Sequence, residues 1–277
     1  METQNIAIDL LIPYDNQPFK PLSETKMQEI RESINDVGLI NPIIVRKLDN
    51  NYQILSGHNR VNVFKQMKKT EIPATIHEIC SDDDAKIIIT DSNLRQREKI
   101  LPLEYARAYK MQYEVLKQQG KRNDLTSHHN EERLTAAQKV ANKNNTSKSN
   151  VERHLLLLKL VAKLQTAVDE KTLPLLSGVE LSHIHPKKQN ALYQYFFKDK
   201  KIKITTRIAK RLRSELEYEE SEFNADLAEK ILRCINKRPP AINVLIETTL
   251  FKNIVLPKEN ELSELITDLL MEHFKCK

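Results

Sequence analysis

Along the first hundred residues, short strand-like runs alternate with helical ones. Residues 6–11, 43–45, 52–55 and 71–76 have the length and apolar pattern of strands. Turn formers bound them: Pro13 with Asn16-Gln17-Pro18, Asp49-Asn50-Asn51, and Ser56-Gly57. Between them lie helical runs at 24–37, capped by Ser23 and stopped by Gly38, and at 59–67. A further helix opens at Asp82-Asp83-Asp84 and runs towards Asn93. Those adjacent carboxylates suit an N-cap and a first helical turn facing the positive end of the dipole, whereas a calcium loop needs alternation and a later Glu.

Beyond residue 100 the period becomes helical. Pro102 starts a helix from 103 to about 118 that ends at Gly120, and the polar stretch 121–132, with His128-His129, reads as a connector. Thr135 caps a short helix at 136–143, Asn144-Asn145-Thr146 makes a turn, and a second helix opens at Ser147 with Val151, Leu155 and Leu158 as its buried face. That is helix-turn-helix grammar. A turn at Ser177-Gly178, a helix end near His183-Ile184-His185-Pro186, a helix at 189–197 and a basic helical segment at 202–213 follow. The acidic run 215–222 reads as a linker. After it come strand-like residues 244–246 and 254–256, then an amphipathic helix at 263–274 whose stripe of Leu265, Ile266, Leu269, Leu270 and Phe274 suits self-association.

Charge sharpens this picture. The net +6 over 277 residues is mild, but residues 136–163 carry six Lys or Arg against Glu152, and 187–213 carry ten against Asp199. Segregation of this kind is the footprint of a polyanion partner, nucleic acid first. The three cysteines are dispersed, so neither a disulfide framework nor a zinc knuckle is indicated and a reducing compartment is expected. The start lacks a basic leader, and no apolar run approaches the ~18 residues of a membrane span. A cytoplasmic protein is expected.

The candidate chemistry sits where the strand at 52–55 passes through Ser56-Gly57 into a helix. Free backbone N–H groups at that helix start, close approach at Gly57 and Arg60 one turn in make an anion cradle, with phosphate the natural guest. Asn93 and Arg97, four apart, share a helix face if their helix continues. In the second half, Ser147, Lys148, Ser149 and Asn150 open a recognition helix and are placed to reach base edges or phosphates, with Arg153 and His154 further along. Lys139 and Lys143 would lie over phosphates and fix register.

Three boxes in order then resemble the ParB/RepB/Spo0J family of DNA partition proteins: Val37-Gly38-Leu39-Ile40-Asn41-Pro42, Gly57-His58-Asn59-Arg60, and Ser92-Asn93-Leu94-Arg95-Gln96-Arg97-Glu98. The resemblance implies an α+β N-terminal ParB/sulfiredoxin-like domain at 1–98. An all-α helix-turn-helix domain at 99–213 and a small C-terminal α/β-containing dimerisation module at 214–277 would follow. It implies that Gly38, Asn41, Ser56, Gly57, His58, Asn59, Arg60, Asn93 and Arg97 bind CTP with Mg²⁺, the metal near Asn93, and that the protein acts as a CTP-regulated clamp on a centromere-like DNA site. A homodimer and a ParA-type ATPase partner are implied as well. His58, Asn59, Asn62 and Ser92 depart from the family's usual Glu, Arg, Arg and Glu, so CTP hydrolysis stays open and no residue is singled out as catalytic. Two other readings remain: a DNA-binding regulator of the same fold without nucleotide chemistry, and a small-molecule kinase, since the fold recurs in kinases of free serine.

Overall fold

A computed structural model of the chain describes residues 3–77, 80–123, 134–216 and 222–236. All but the last of these lie in one compact unit, 1–235. The predicted strands and amphipathic helix beyond residue 236, His128-His129 and most of the acidic run fall outside the described residues.

The N-terminal part is a five-stranded mixed sheet flanked by helices. Strands β1 (Thr3–Ala7), β2 (Leu11–Ile12), β3 (Ile43–Leu48), β4 (Asn51–Ser56) and β5 (Glu71–His77) lie in the order β1-β5-β3-β4-β2. The β3–β4 hairpin is antiparallel, while β3 pairs parallel with β5 and β4 with β2. The expected single first strand is thus two, because a 3₁₀ turn at Ile8–Leu10 carries the chain from one sheet edge to the other. Ile43, Val45, Leu55, Ile72 and Ala74 are fully or almost fully buried along the central strands. Burying side chains of this size contributes about 1.5–3 kcal/mol each for the larger ones.

Helix α1 (Glu24–Val37) starts as expected at Ser23, whose hydroxyl accepts from the Lys26 N–H, and stops at Gly38 with φ +76°. Helix α2 (His58–Gln66) follows β4 directly. Helix α3 (Asp82–Gln96) opens in a capping box between Ser81 and Asp84, the role read for the acidic triplet. The hydrogen bonds to Ser81 hold the Asp84 carboxyl below the usual carboxylate range.

The remainder is helical. Helix α4 (Pro102–Asn123) runs through Gly120 instead of ending there, so the first residues of the expected connector are helical. Helices α5 (Ala136–Lys143) and α6 (Lys148–Leu157) form the hairpin, with caps at Thr135 and Ser147. Asn145 takes the left-handed conformation at φ +51° in the turn between them. Then come α7 (Ala162–Asp169), α8 (Leu175–Leu181), α9 (Pro186–Tyr193) passing into a π-helical turn at Gln194–Asp199, α10 (Thr206–Leu216) and α11 (Ala225–Asn236). Ser177 and Gly178 lie inside α8, not in a turn. The glycine is a packing choice: a Cβ there would meet Val168 and Leu157 side chains at 3.0 and 3.1 Å. The basic helix begins only at Thr206, after Lys201 at φ +51°.

Candidate anion cleft and nucleic-acid interface

The cleft is built outward from Gly57. This residue sits at φ +103°, and an added Cβ would lie 2.6 Å from Ile43 Cγ2 and 3.1 Å from two nitrogens of Arg60. Only glycine satisfies both the backbone and the space. Gly57 caps α2 with no side-chain acceptor, so the first N–H groups of α2 have no side-chain cap. Arg60 folds back over the turn, and its Nη1 donates to the carbonyls of Asn41 and of Pro42, the latter at 3.0 Å. Among the described residues no carboxylate pairs with it. Burial pulls its pKa below the ordinary arginine value.

Asn93 and Arg97 meet as their spacing predicted, although α3 ends at Gln96. Arg97 caps the helix, and its Nε donates to Asn93 Oδ1 at 3.1 Å. Its Nη1 donates to the Lys20 carbonyl at 3.0 Å and lies 3.5 Å from Glu104 Oε1, while the guanidinium lies 5.0 Å from the Phe19 ring centroid. Burial lowers the Arg97 pKa, and Glu104 opposes this. The His58 ring is enclosed: the Gln17 side-chain amide lies 2.8 Å from Nδ1 and 3.0 Å from Nε2, and the Tyr14 N–H approaches Nε2 at 3.5 Å. Burial first, and Arg97 second, lower its pKa to about 4, so the imidazole is neutral at pH 7. Asn59 Oδ1 accepts from the Leu22 N–H at 3.3 Å, which ties the α2 start to the segment before α1.

Gly38, Asn41, Ser56, Gly57, His58, Asn59, Arg60, Asn93 and Arg97 all line one cleft of about 1040 Å³. That segment before α1, with Gln17, Phe19 and Lys20, and Lys65 on α2 complete the wall and were missed from sequence. Pro18 and Pro21 bracket an irregular stretch there, the one signal that could have pointed to it.

A magnesium ion at Asn93 does not fit these residues. Asn93 Nδ2 donates to the Ile89 carbonyl at 2.9 Å and Oδ1 is taken by Arg97, whose guanidinium would repel a dication. Among the described residues no three His, Cys, Asp or Glu side chains converge on a metal site.

In the hairpin, Ser147, Lys148 and Ser149 are exposed at the start of α6, with Asn150 half-buried beside them. Arg153 is exposed one turn on and Lys139 half-buried on α5. His154 points the other way: it is 7% exposed, its Nδ1 donates to the Asn150 carbonyl at 2.8 Å, and its ring stands edge-on to Tyr105 and Tyr109 at 5.6 Å. Its imidazole therefore packs the hairpin on α4 and is not at hand for DNA. The buried face of α6 is Val151, His154 and Leu157, with Leu155 and Leu158 only half-buried. Lys143 Nζ is held 2.9 Å from Asp91 Oδ2, and Lys148 lies 3.6 Å from Glu152. Gln112, fully buried on α4, donates to Thr90 Oγ1 and Asp91 Oδ1 and accepts from Asn144 Nδ2, joining α3 to the hairpin turn.

A family model described as the ParB N-terminal domain matches residues 1–93, which contain β1 to β5 and the Gly57 turn. Residues 1–93 are thus a ParB N-terminal domain. The nucleoid occlusion protein of Geobacillus thermodenitrificans (strain NG80-2) is 32% identical over 174 residues, covering 62% of this chain and 55% of that protein. A probable chromosome-partitioning protein ParB of Rickettsia bellii (strain RML369-C) is 30% identical over 170 residues, covering 61% and 52%. The chain thus spans about half the length of the curated relatives it matches. Among solved structures, a pNOB8-like ParB N-domain resembles it with a TM-score of 0.50 at 16% identity, over 85% of this chain and 97% of that one, a likeness of fold alone. Among the described residues of this chain with its ParB N-terminal domain, no helix is long and apolar enough to cross a membrane.

Proposed function

We propose that this chain is a sequence-specific DNA-binding protein of ParB type, acting in plasmid or chromosome partition, with CTP bound in the Gly57 cleft as the regulator of a DNA clamp. The observation that carries the cleft reading is Arg60: a cation largely withdrawn from water, neutralised by no described carboxylate and held by backbone carbonyls beside an open helix N-terminus. A buried charge left so is costly unless an anion completes it. Phosphate oxygens over the α2 N-terminus would do so, with Arg97 contributing a second guanidinium. CTP as the nucleotide follows from the family resemblance.

For DNA, the support is the exposed first turn of α6 on a hairpin of helix-turn-helix form. Ser147, Lys148, Ser149 and Asn150 would face the major groove, with Arg153 and Lys139 towards the backbone. The domain limits proposed are 1–98, 99–213 and 214–277. A homodimer would present two hairpins to a palindromic site, and a ParA-type ATPase is the partner the family implies.

The test is calorimetric titration of CTP, with ATP and GTP controls, with and without DNA fragments from the protein's own replicon. CTP-selective binding that Arg60→Ala weakens by roughly tenfold or more is expected, the scale of a lost charge-assisted hydrogen bond. Unchanged affinity in that variant would overturn the assignment. A second reading, a DNA-binding regulator without nucleotide chemistry, draws on the neutral, fully engaged His58; salt-sensitive DNA binding with no response to any nucleotide would establish it.

A further inference from the structure

We propose that the cleft holds its triphosphate with protein cations alone, needs no divalent metal to do so, and leaves the nucleotide unhydrolysed. The proposal rests on the nucleotide reading above and concerns how that site treats its ligand.

The argument is one of charge and of available oxygen. The ionised side chains that line the cleft are Lys20, Arg60, Lys65 and Arg97 against Glu29, which is exposed on α1. In nucleotide sites a hard dication such as Mg²⁺ usually neutralises phosphate charge, held by carboxylates and the phosphates themselves. Here Arg60 and Lys65, with the N-terminal dipole of α2 and the part of the Arg97 and Lys20 charge not taken by Glu104 and Asp169, supply that countercharge from the protein. A metal placed beside Asn93 would displace the Arg97 hydrogen bond at 3.1 Å and face a guanidinium instead of a carboxylate.

Hydrolysis asks for a further group, a base or orienting acceptor for the attacking water. The ring nitrogens of His58, at the turn itself, are already engaged by Gln17 and the Tyr14 N–H. Asn59 Oδ1 is taken by the Leu22 N–H. Arg60 and Arg97 can only donate. The side chains of the turn itself are therefore arranged to grip an anion, and the two other cleft-lining groups able to take a proton, Glu29 on α1 and His77 on β5, belong to other elements than the turn.

The experiment titrates the full-length protein with CTP, and separately with inorganic tripolyphosphate, in EDTA and in excess Mg²⁺. The same protein with CTP, Mg²⁺ and the DNA fragments is followed for CDP by ion-exchange chromatography. The expected result is a Kd in EDTA within about threefold of that in Mg²⁺, tripolyphosphate competition, and no CDP above the protein-free control. A loss of tenfold or more on chelation, or accumulation of CDP that Arg60→Ala abolishes, would overturn the proposal while leaving the nucleotide reading intact. Absence of CTP binding in both buffers overturns the nucleotide reading and the proposal together. Arg97→Gln is expected to weaken binding in EDTA by roughly tenfold or more, and an unchanged Kd there also counts against it.

Discussion

At Gly57 the backbone and the side-chain space make the same demand. A Cβ at φ +103° carries roughly 1–2 kcal/mol of backbone strain, and the 2.6 Å approach to Ile43 adds a clash against a fully buried side chain. Gly57→Ala should therefore lower unfolding stability by about 2–4 kcal/mol in a urea titration and move Arg60 off the turn, weakening CTP binding at least tenfold. Stability and affinity both close to wild type would show that the turn is not the cradle. His58 allows a prediction in pH. Its folded pKa of about 4 lies below the ordinary 6.5, so the unfolded chain binds more protons between those values and stability rises with pH across that window. Up to about 3 kcal/mol is present above pH 6.5 and lost as pH falls to 4. His154, lowered by burial in the hairpin, adds in the same direction. Urea midpoints at pH 4.5 and 7 should differ less in His58→Asn than in wild type, and an equal difference would place the titration elsewhere.

Among the helices, two cations of the hairpin, unlike Lys139 and Arg153 beside them, differ in state from those of the segment entering α10. Lys143 and Lys148 each have a carboxylate neighbour, Asp91 and Glu152. Lys198, Lys201, Lys203, Arg207 and Lys210 are exposed, and among the described residues none pairs with a carboxylate. Free cations release the counterions of DNA, and paired ones must first give up a partner. Non-specific affinity should therefore reside mainly in residues 198–210 and register in the hairpin. Replacing Lys198, Lys201, Lys203 and Lys210 by Gln should flatten the slope of log K against log salt by up to roughly 3.6, at about 0.9 per phosphate, and leave discrimination between DNA sequences intact. Ser149→Ala or Arg153→Ala should instead erode discrimination; a quadruple variant with an unchanged slope would refute the division. The helices were legible where caps and period agreed: Ser23 to Gly38, the acidic start of α3, Thr135 and Ser147. They were misread where glycine was taken for a stop, because Gly120 continues α4 and Gly178 lies between Val168 and Leu157 for close packing. The nine residues picked for the cleft share one cavity because each lies in a box of fixed local geometry. The wall at Gln17–Lys20 was invisible because long-range bonds to His58, Arg97 and Glu104 hold it, not any local pattern.

Those long-range bonds decide how the sheet domain and the helices behave as one body. Glu104, 3% exposed at the start of α4, accepts from the Lys20 N–H at 2.7 Å and the Leu101 N–H at 2.9 Å and lies 3.5 Å from Arg97. Asp169 at the end of α7 accepts from the Leu103 N–H at 3.0 Å and pairs with Lys20 Nζ at 3.3 Å. Gln112 closes the third link, from α3 to the hairpin turn, and the Lys143–Asp91 pair at 2.9 Å a fourth. Each of Glu104, Asp169 and Gln112 is a polar group removed from water whose partners belong to another part of the chain, so deleting one strands several donors at once. Glu104→Ala leaves two N–H groups without their acceptor and Arg97 without its acid, a loss of about 3–5 kcal/mol. That loss should fall on the junction, where Leu94 of α3 also packs with Tyr105 and Tyr109, and not on the sheet core or the core built from α4 and α6 to α11, which bury separate sets of apolar side chains. Calorimetric scanning of the wild type should then show residues 1–235 melting in one transition, and Glu104→Ala should show two, the lower belonging to one of those cores. One transition merely shifted down would mean that apolar contacts, such as those of Leu94, and not these polar links, hold the two parts together.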